Sequence, residues 1–265
     1  MDVQPKQKYL NVFLNKFWYV PSDVLIRATE KALWEAVDYK HSILDIGTAD
    51  GRISSVLFPK NLIIDVGLEP VESLAKKADK QKVYKKVVAG SAVKMPFSSN
   101  SFRTVVSNST FEHISQDIPA VSEVSRVLKK GGLFYLTVPS KRFRAQLADI
   151  NIKGRKLKEF NERMQHYHYR SFENWEHIME SAGLRVVEHK YYFSKEVLKA
   201  WYVLLRVSTF KPYRRELWSY FSDTRFRKFV PKRFIISLEK NFLSKYYKKT
   251  FNKHGSWLFI KAEKI

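Results

Sequence analysis

The stretch Ser42-Ile43-Leu44-Asp45-Ile46-Gly47-Thr48-Ala49-Asp50-Gly51-Arg52-Ile53 decides how the rest of the chain is read. Apolar residues run into an acid, small residues and glycines follow, and a second polar–apolar segment begins. That is the order of a buried parallel strand, a tight turn and the first turn of a helix. Gly47 and Gly51 can take a positive φ or let another group approach the backbone closely. Free N–H groups at the following helix start favour a polar ligand. A plain structural turn can carry the same G-x-x-x-G spacing, so the surrounding sequence has to decide.

Outward from this turn, Leu62 to Glu69 is a second apolar run that also ends in an acid. The distance from the glycine turn suits ribose recognition in a dinucleotide-type fold, because a carboxylate at a strand's C-terminal edge can accept from both ribose hydroxyls. The plainer reading of Glu69 is a solvated strand end. Asp65, within the run, reads as a bulge or local cap. Further strands are expected at 83–88, 102–107, 133–138, from Leu184 onward and at 256–260, with helices at 21–37, 71–78, 112–128 and 172–182. Lys129-Lys130-Gly131-Gly132 reads as a helix stop, with cations in the last turn and glycines beyond. Residues 141–170 read as a polar, basic connection with 153–158 turn-like. Short strands alternating with helices argue for a mostly parallel sheet covered on both faces.

The chain of 265 residues is long enough for one large domain with a subdomain, and 45% hydrophobic residues supply a core. It has no cysteine, which excludes disulfides, thiolate chemistry and cysteine-ligated metals. A net charge of +22 asks for an anionic partner or surface without saying which. Asp2, Lys6, Lys8 and Lys16 interrupt the N-terminal stretch, so no clean signal-peptide core is seen. No run approaches the ~18 apolar residues of a spanning helix. A cytoplasmic protein, soluble or peripheral to a membrane, is therefore expected. Phe17, Trp18 and Tyr19 read as an aromatic layer on the main sheet or as a lid over the pocket. Residues 195–254 hold 16 Lys/Arg against 4 Asp/Glu, interleaved with 14 Phe, Tyr and Trp. That block reads as a solvated helical cover, a peripheral membrane surface or, with less support, a nucleic-acid surface. The expected organisation is an N-terminal aromatic and helical cap (1–40), a ligand-binding core (41–194), the basic aromatic insertion (195–254) and a final strand returning to the core (255–265).

The run from Val88 to Ser107, with Phe111-Glu112-His113-Ile114, Glu123 to Gly132 and Thr137-Val138-Pro139, resembles the class I S-adenosylmethionine-dependent methyltransferases, in particular their small-molecule and lipid group. The likeness covers roughly residues 40–190 and resumes at the last strand. It implies a Rossmann-like α/β fold: a mostly parallel seven-stranded sheet with helices on both faces and a helical insertion before the last strand. It implies S-adenosylmethionine as cofactor. Asp45 then resembles the acid that helps hold the methionine end, and Gly47, Thr48, Ala49 and Gly51 the turn packed against it. Glu69 resembles the ribose acid, Leu68 and Pro70 flank the adenine, and Ser91 and Ala92 stand at an adenine contact. Ser107 and Asn108 fall where backbone groups face the methionine ammonium. Three residues depart from the pattern: Ala49 for the middle glycine, Ser91 for the acid near the adenine amino group, and Arg103 for the acid after Ser-Phe.

A sulfonium already makes its methyl electrophilic, so a protein using one must align the acceptor and exclude water. An oxygen or nitrogen acceptor must also lose a proton, and histidine suits that near neutral pH. His113, after the fourth strand, and His166, before the helix start at Ser171, are the catalytic candidates; His168 is a weaker one. His113 reads more plainly as a capping or packing residue, and His166 equally well as one that stabilises its loop. No metal site is expected. The resulting expectation is a methyltransferase acting on a small or amphiphilic acceptor, with an RNA-binding protein of the same fold, or a non-catalytic scaffold, as alternatives.

Overall fold

The computed structural model describes residues 3–222 and 230–265. Asp2 and residues 223–229 of the basic segment lie outside the described residues. Two compact units emerge: Val37–Tyr192 with Gly255–Ile265, and Met1–Ala36 with Phe193–His254.

The first unit is built on a seven-stranded sheet. Its strands are β1 (Ile43–Ile46), β2 (Val66–Glu69), β3 (Val87–Ala89), β4 (Phe102–Asn108), β5 (Leu128–Pro139), β6 (Leu184–Tyr192) and β7 (Trp257–Lys264). They lie in the order β3-β2-β1-β4-β5-β7-β6. The first five pair in parallel, and β7 runs antiparallel to both β5 and β6. Every residue from Leu133 to Pro139 is buried, as both faces of the sheet are covered. Val105, Phe134 and Leu136 share one core with Val121 and Val124 of α5 (Asp117–Val127) and with Met179 of α8 (Phe172–Ser181). Chain order reverses between β1 and β4, the switch point at which sheets of this kind open a crevice at their C-terminal edge.

Two local readings of the sequence need correction. Lys129–Gly132 is not a helix stop. The helix ends at Val127, and Leu128 is already extended and paired with Phe102. The register then jumps to Thr104↔Leu133, so the four residues bulge within β5, with Gly131 at φ +71. Residues 141–170 are not an open connection either. They form α6 (Lys141–Asp149), capped by Ser140, and α7 (Arg155–Met164). Leu157, Phe160 and Met164 share one face of α7, a three-residue stripe easily lost among so many charges. Asp65 is a local cap as expected: its Oδ2 accepts from Ile43 N at 2.8 Å and its Oδ1 from Lys85 Nζ at 2.6 Å.

The second unit is helical. It contains α1 (Gln7–Phe17), α2 (Pro21–Trp34), α9 (Lys195–Ser208), α10 (Leu217–Ser222) and α11 (Lys232–Tyr247). The remaining helices, α3 (Ser54–Leu57) and α4 (Glu72–Asp79), belong to the sheet unit. Leu25 and Ala28 of α2 are buried, as are Leu198 and Trp201 of α9 and Leu243 and Tyr247 of α11. Tyr247 Oη donates to the Ala28 carbonyl at 3.1 Å, tying α11 to α2. Phe17 stacks with Phe13, and Trp18 lies 5.8 Å from the Phe221 ring. These aromatics thus pack within the helical unit.

Candidate functional site

The turn after β1 takes the conformation its composition suggested. Gly47 lies at φ +86, Ala49 at +47 and Gly51 at +74. Gly47 N donates to Leu68 O at 2.8 Å, so the turn is tied to the end of β2. A Cβ on Gly47 would stand 2.3 Å from the Thr110 side chain, so glycine is required there for space as well as for φ. Glu69, at the end of β2, is buried, with Oε2 accepting from Ala49 N at 2.9 Å and Oε1 from Val71 N at 3.1 Å. The carboxylate therefore holds two loops in register.

A cavity of about 880 Å³ opens at these strand ends. Gly47 and Ala49 line it from the β1 turn, Leu68, Glu69 and Pro70 from β2, and Ser91 and Ala92 from the loop after β3. His113 contributes from beyond β4. Eight of the residues singled out in the sequence thus meet around one space.

The others stand elsewhere. Asp45 is buried, its Oδ2 accepting from Tyr84 Oη at 2.6 Å and from Ser54 Oγ at 3.4 Å. Burial pushes its carboxyl up to about 7. Thr48 is buried with its methyl over Gly67, and Gly51 packs on Ala78 and Gln81. Ser107 Oγ donates to Ile46 O at 3.1 Å, and Asn108 Oδ1 accepts from Thr137 Oγ1 at 3.0 Å, so both brace neighbouring strands. These five shape the crevice from outside its wall. Thr110, Leu74, Lys94 and Gln165 line the cavity without having been expected. Thr110 could have been found from its place just past β4; Gln165 lies too far along the chain for any local signal.

His166 faces a second cavity, of about 650 Å³, with Arg144, Lys158 and Tyr167. Gln165 lines both spaces. The His113 and His166 rings are 5.1 Å apart, and burial together with His113 pulls the His166 imidazole down to about 3. His168 serves the scaffold: its Nε2 lies 2.9 Å from Ser115 O and 3.7 Å from Asp117. Arg170 forks onto the same buried Asp117 at 2.6 and 2.7 Å, fixing the start of α5.

A family model described as a methyltransferase domain matches residues 44–136, which hold the turn, Glu69 and the strand ends just described. That match spans about a third of the chain, and over it the sequence is similar to methyltransferase domains. An uncharacterized methyltransferase of Schizosaccharomyces pombe is 34% identical over 103 residues, covering 34% of this chain and 37% of that protein. The chain spans between about a third and a half of the length of the curated relatives it matches. Among solved structures, a SAM-dependent methyltransferase of Thermotoga maritima superposes with a TM-score of 0.58 at 19% identity, covering 97% of this chain and all of that one. Geranyl diphosphate C-methyltransferase of Streptomyces coelicolor A3(2) gives 0.55 at 13% identity, covering 92% and 83%. These likenesses establish the Rossmann-like fold. The likeness to methyltransferase domains implies S-adenosylmethionine, and the lining of the cavity fits that group. Glu69 would offer its carboxylate to ribose hydroxyls and Leu68, Leu74 and Ala92 an apolar wall to a base, with Gly47 leaving the floor open.

Proposed function

We propose that this protein is an S-adenosylmethionine-dependent methyltransferase acting on a small or lipid-like acceptor. The observation that carries the reading is the buried Glu69 carboxylate, held by the glycine turn at the wall of the 880 Å³ cavity. S-adenosylmethionine would supply an activated methyl on sulfur. The chain's own residues bind the adenosine, orient the methyl towards the His113 side and keep water from it. His113 and His166 stand at the acceptor end. His166, held neutral down to about pH 3, is the poorer proton acceptor, so His113 is assigned the proton that an oxygen or nitrogen acceptor releases. Calorimetry with S-adenosylhomocysteine tests the reading: saturable binding weakened by Glu69→Gln is expected, and binding of neither cofactor nor product would overturn it. No observation on the described residues favours the RNA-binding or scaffold alternatives.

We further propose that the helical unit meets an anionic lipid surface. Phe234, Leu238 and Phe242 recur every four residues on α11 and are 63%, 56% and 43% exposed. Lys232, Arg233, Lys240 and Lys245 flank them, and Val203, Val207 and Phe210 are exposed at and beyond the end of α9. Apolar side chains ringed by cations suit a headgroup boundary better than bulk water. No described helix is long and apolar enough to cross a membrane. Sedimentation with phosphatidylserine-containing vesicles should carry the protein down, and equal recovery with neutral vesicles would argue against this surface.

A further inference from the structure

Glu112, His113 and His166 each bring a potential ligand atom within 4.8 Å of the other two. Glu112 is buried, His113 exposed and His166 partly covered. The first two come from the short 3-10 turn Phe111–His113 after β4, and the third from the segment after α7. The two segments are stapled together, since Tyr167 N donates to Glu112 O at 2.8 Å.

Hydrogen bonds set the tautomer of both rings. His113 Nδ1 lies 3.1 Å from the Gln165 carbonyl, which can only accept, so Nδ1 carries the proton and Nε2 the lone pair. Tyr169 gives its own proton to Asn161 Oδ1 at 2.6 Å, so its oxygen accepts from His166 Nδ1 at 3.0 Å. His166 therefore also carries its lone pair on Nε2. Imidazoles fixed through Nδ1 by a carbonyl or hydroxyl, with Nε2 as the donor atom, are the form in which histidine binds metals.

We propose that Glu112, His113 and His166 form a binding site for one divalent first-row transition cation of the zinc, manganese or iron(II) type. Two imidazoles and a carboxylate select such ions over magnesium or calcium and leave coordination positions open. Metal–ligand bonds of about 2.0–2.2 Å need donor atoms about 3.3 Å apart, so side-chain adjustment in both segments accompanies binding. His113 lines the cofactor cavity and His166 the second one, so the cation belongs where the two meet at Gln165. What it does there rests on the methyltransferase reading; whether it binds does not. An acceptor hydroxyl coordinated at an open position loses its proton to solvent more readily. The oxygen–methyl bond then forms as the sulfur–methyl bond breaks, and the sulfonium leaves as a neutral thioether. With the cation bound, its Lewis acidity takes over the proton-releasing role that His113 has in the cation-free protein.

The test is a titration of the metal-stripped full chain with Co²⁺, read by visible d–d absorption, and with Zn²⁺, read by calorimetry. One saturable equivalent is expected. Glu112→Gln and His113→Gln should each weaken it at least about tenfold, and Tyr169→Phe, which leaves every ligand in place but frees the His166 ring, about tenfold. His113 is exposed, so its variant tests the site without threatening the fold, and circular dichroism checks the other two. No saturable binding, or equal binding by the His113→Gln protein, overturns the proposal. S-adenosylhomocysteine binding without cation binding overturns this inference alone, and the converse overturns only the methyltransferase reading.

Discussion

The sheet unit and the helical unit use apolar side chains in opposite ways. In the first, strands such as Leu133–Pro139 are wholly buried, and the cavity at the strand ends is lined by the Gly47 turn, the Glu69 carboxylate and a mixture of apolar and polar side chains. In the second, α11 turns Phe234, Leu238 and Phe242 outward between lysines and arginines. The contrast teaches that the sheet unit is finished by its own core, while the helical unit leaves apolar side chains exposed, as the proposed lipid contact requires.

The sharpest way to break the comparison is Gly47→Val. The new Cβ would sit 2.3 Å from Thr110 at φ +86, so a loss above about 4 kcal/mol, or no folded protein, is expected in denaturant melts. Asp45→Asn should do the reverse. Folding holds this carboxyl up at about 7, above its unfolded value, so the fold binds a proton that the unfolded chain releases. The resulting penalty is absent below about pH 4, grows as pH rises through the window to about 7, and is constant above it. The variant should therefore gain about 4 kcal/mol over the parent near pH 8 and almost nothing near pH 4. Glu69→Gln keeps the shape but offers one acceptor oxygen where two backbone N–H groups need two. A rise in the S-adenosylhomocysteine Kd of about 30-fold, near 2 kcal/mol, should appear by calorimetry. Phe234→Asp, smallest of all, should lower vesicle partitioning about tenfold and leave the melting temperature unchanged, which would confine the effect to the outward-facing surface.

Legibility in the sequence follows the same divide. Buried parallel strands announce themselves as short apolar runs, and the Gly47 turn and Glu69 sit at their ends, so one wall of the site could be read by distance along the chain. The β5 bulge was misread because Lys-Lys-Gly-Gly after a helix is also a good helix stop; only pairing with Phe102 draws Leu128 into the sheet. α7 was missed because Leu157, Phe160 and Met164 are few among many charges. The meeting of His113 with His166 had no local trace at all. It depends on α7 ending at Gln165, in the left-handed conformation at φ +55, which turns the chain back towards Glu112. Asp45 shows the opposite limit: its motif is plain, yet Tyr84, in the segment just before β3, donates to its carboxylate.

One feature of the sheet reaches beyond this chain. Tyr192 at the end of β6 pairs with Trp257 at the start of β7, so everything between them occupies the position of a hairpin turn. Gly255 keeps that neck closed, since a Cβ there would fall 2.1 Å from the Tyr192 backbone. A closure this long costs only roughly 3 kcal/mol more than a two-residue turn, at about 0.6 kcal/mol per doubling of length. The sheet therefore tolerates at this point a module of almost any size. A short turn grafted between Tyr192 and Trp257 should leave the pairing of β6 with β7 in register, while α1 and α2 lose the helices they pack on.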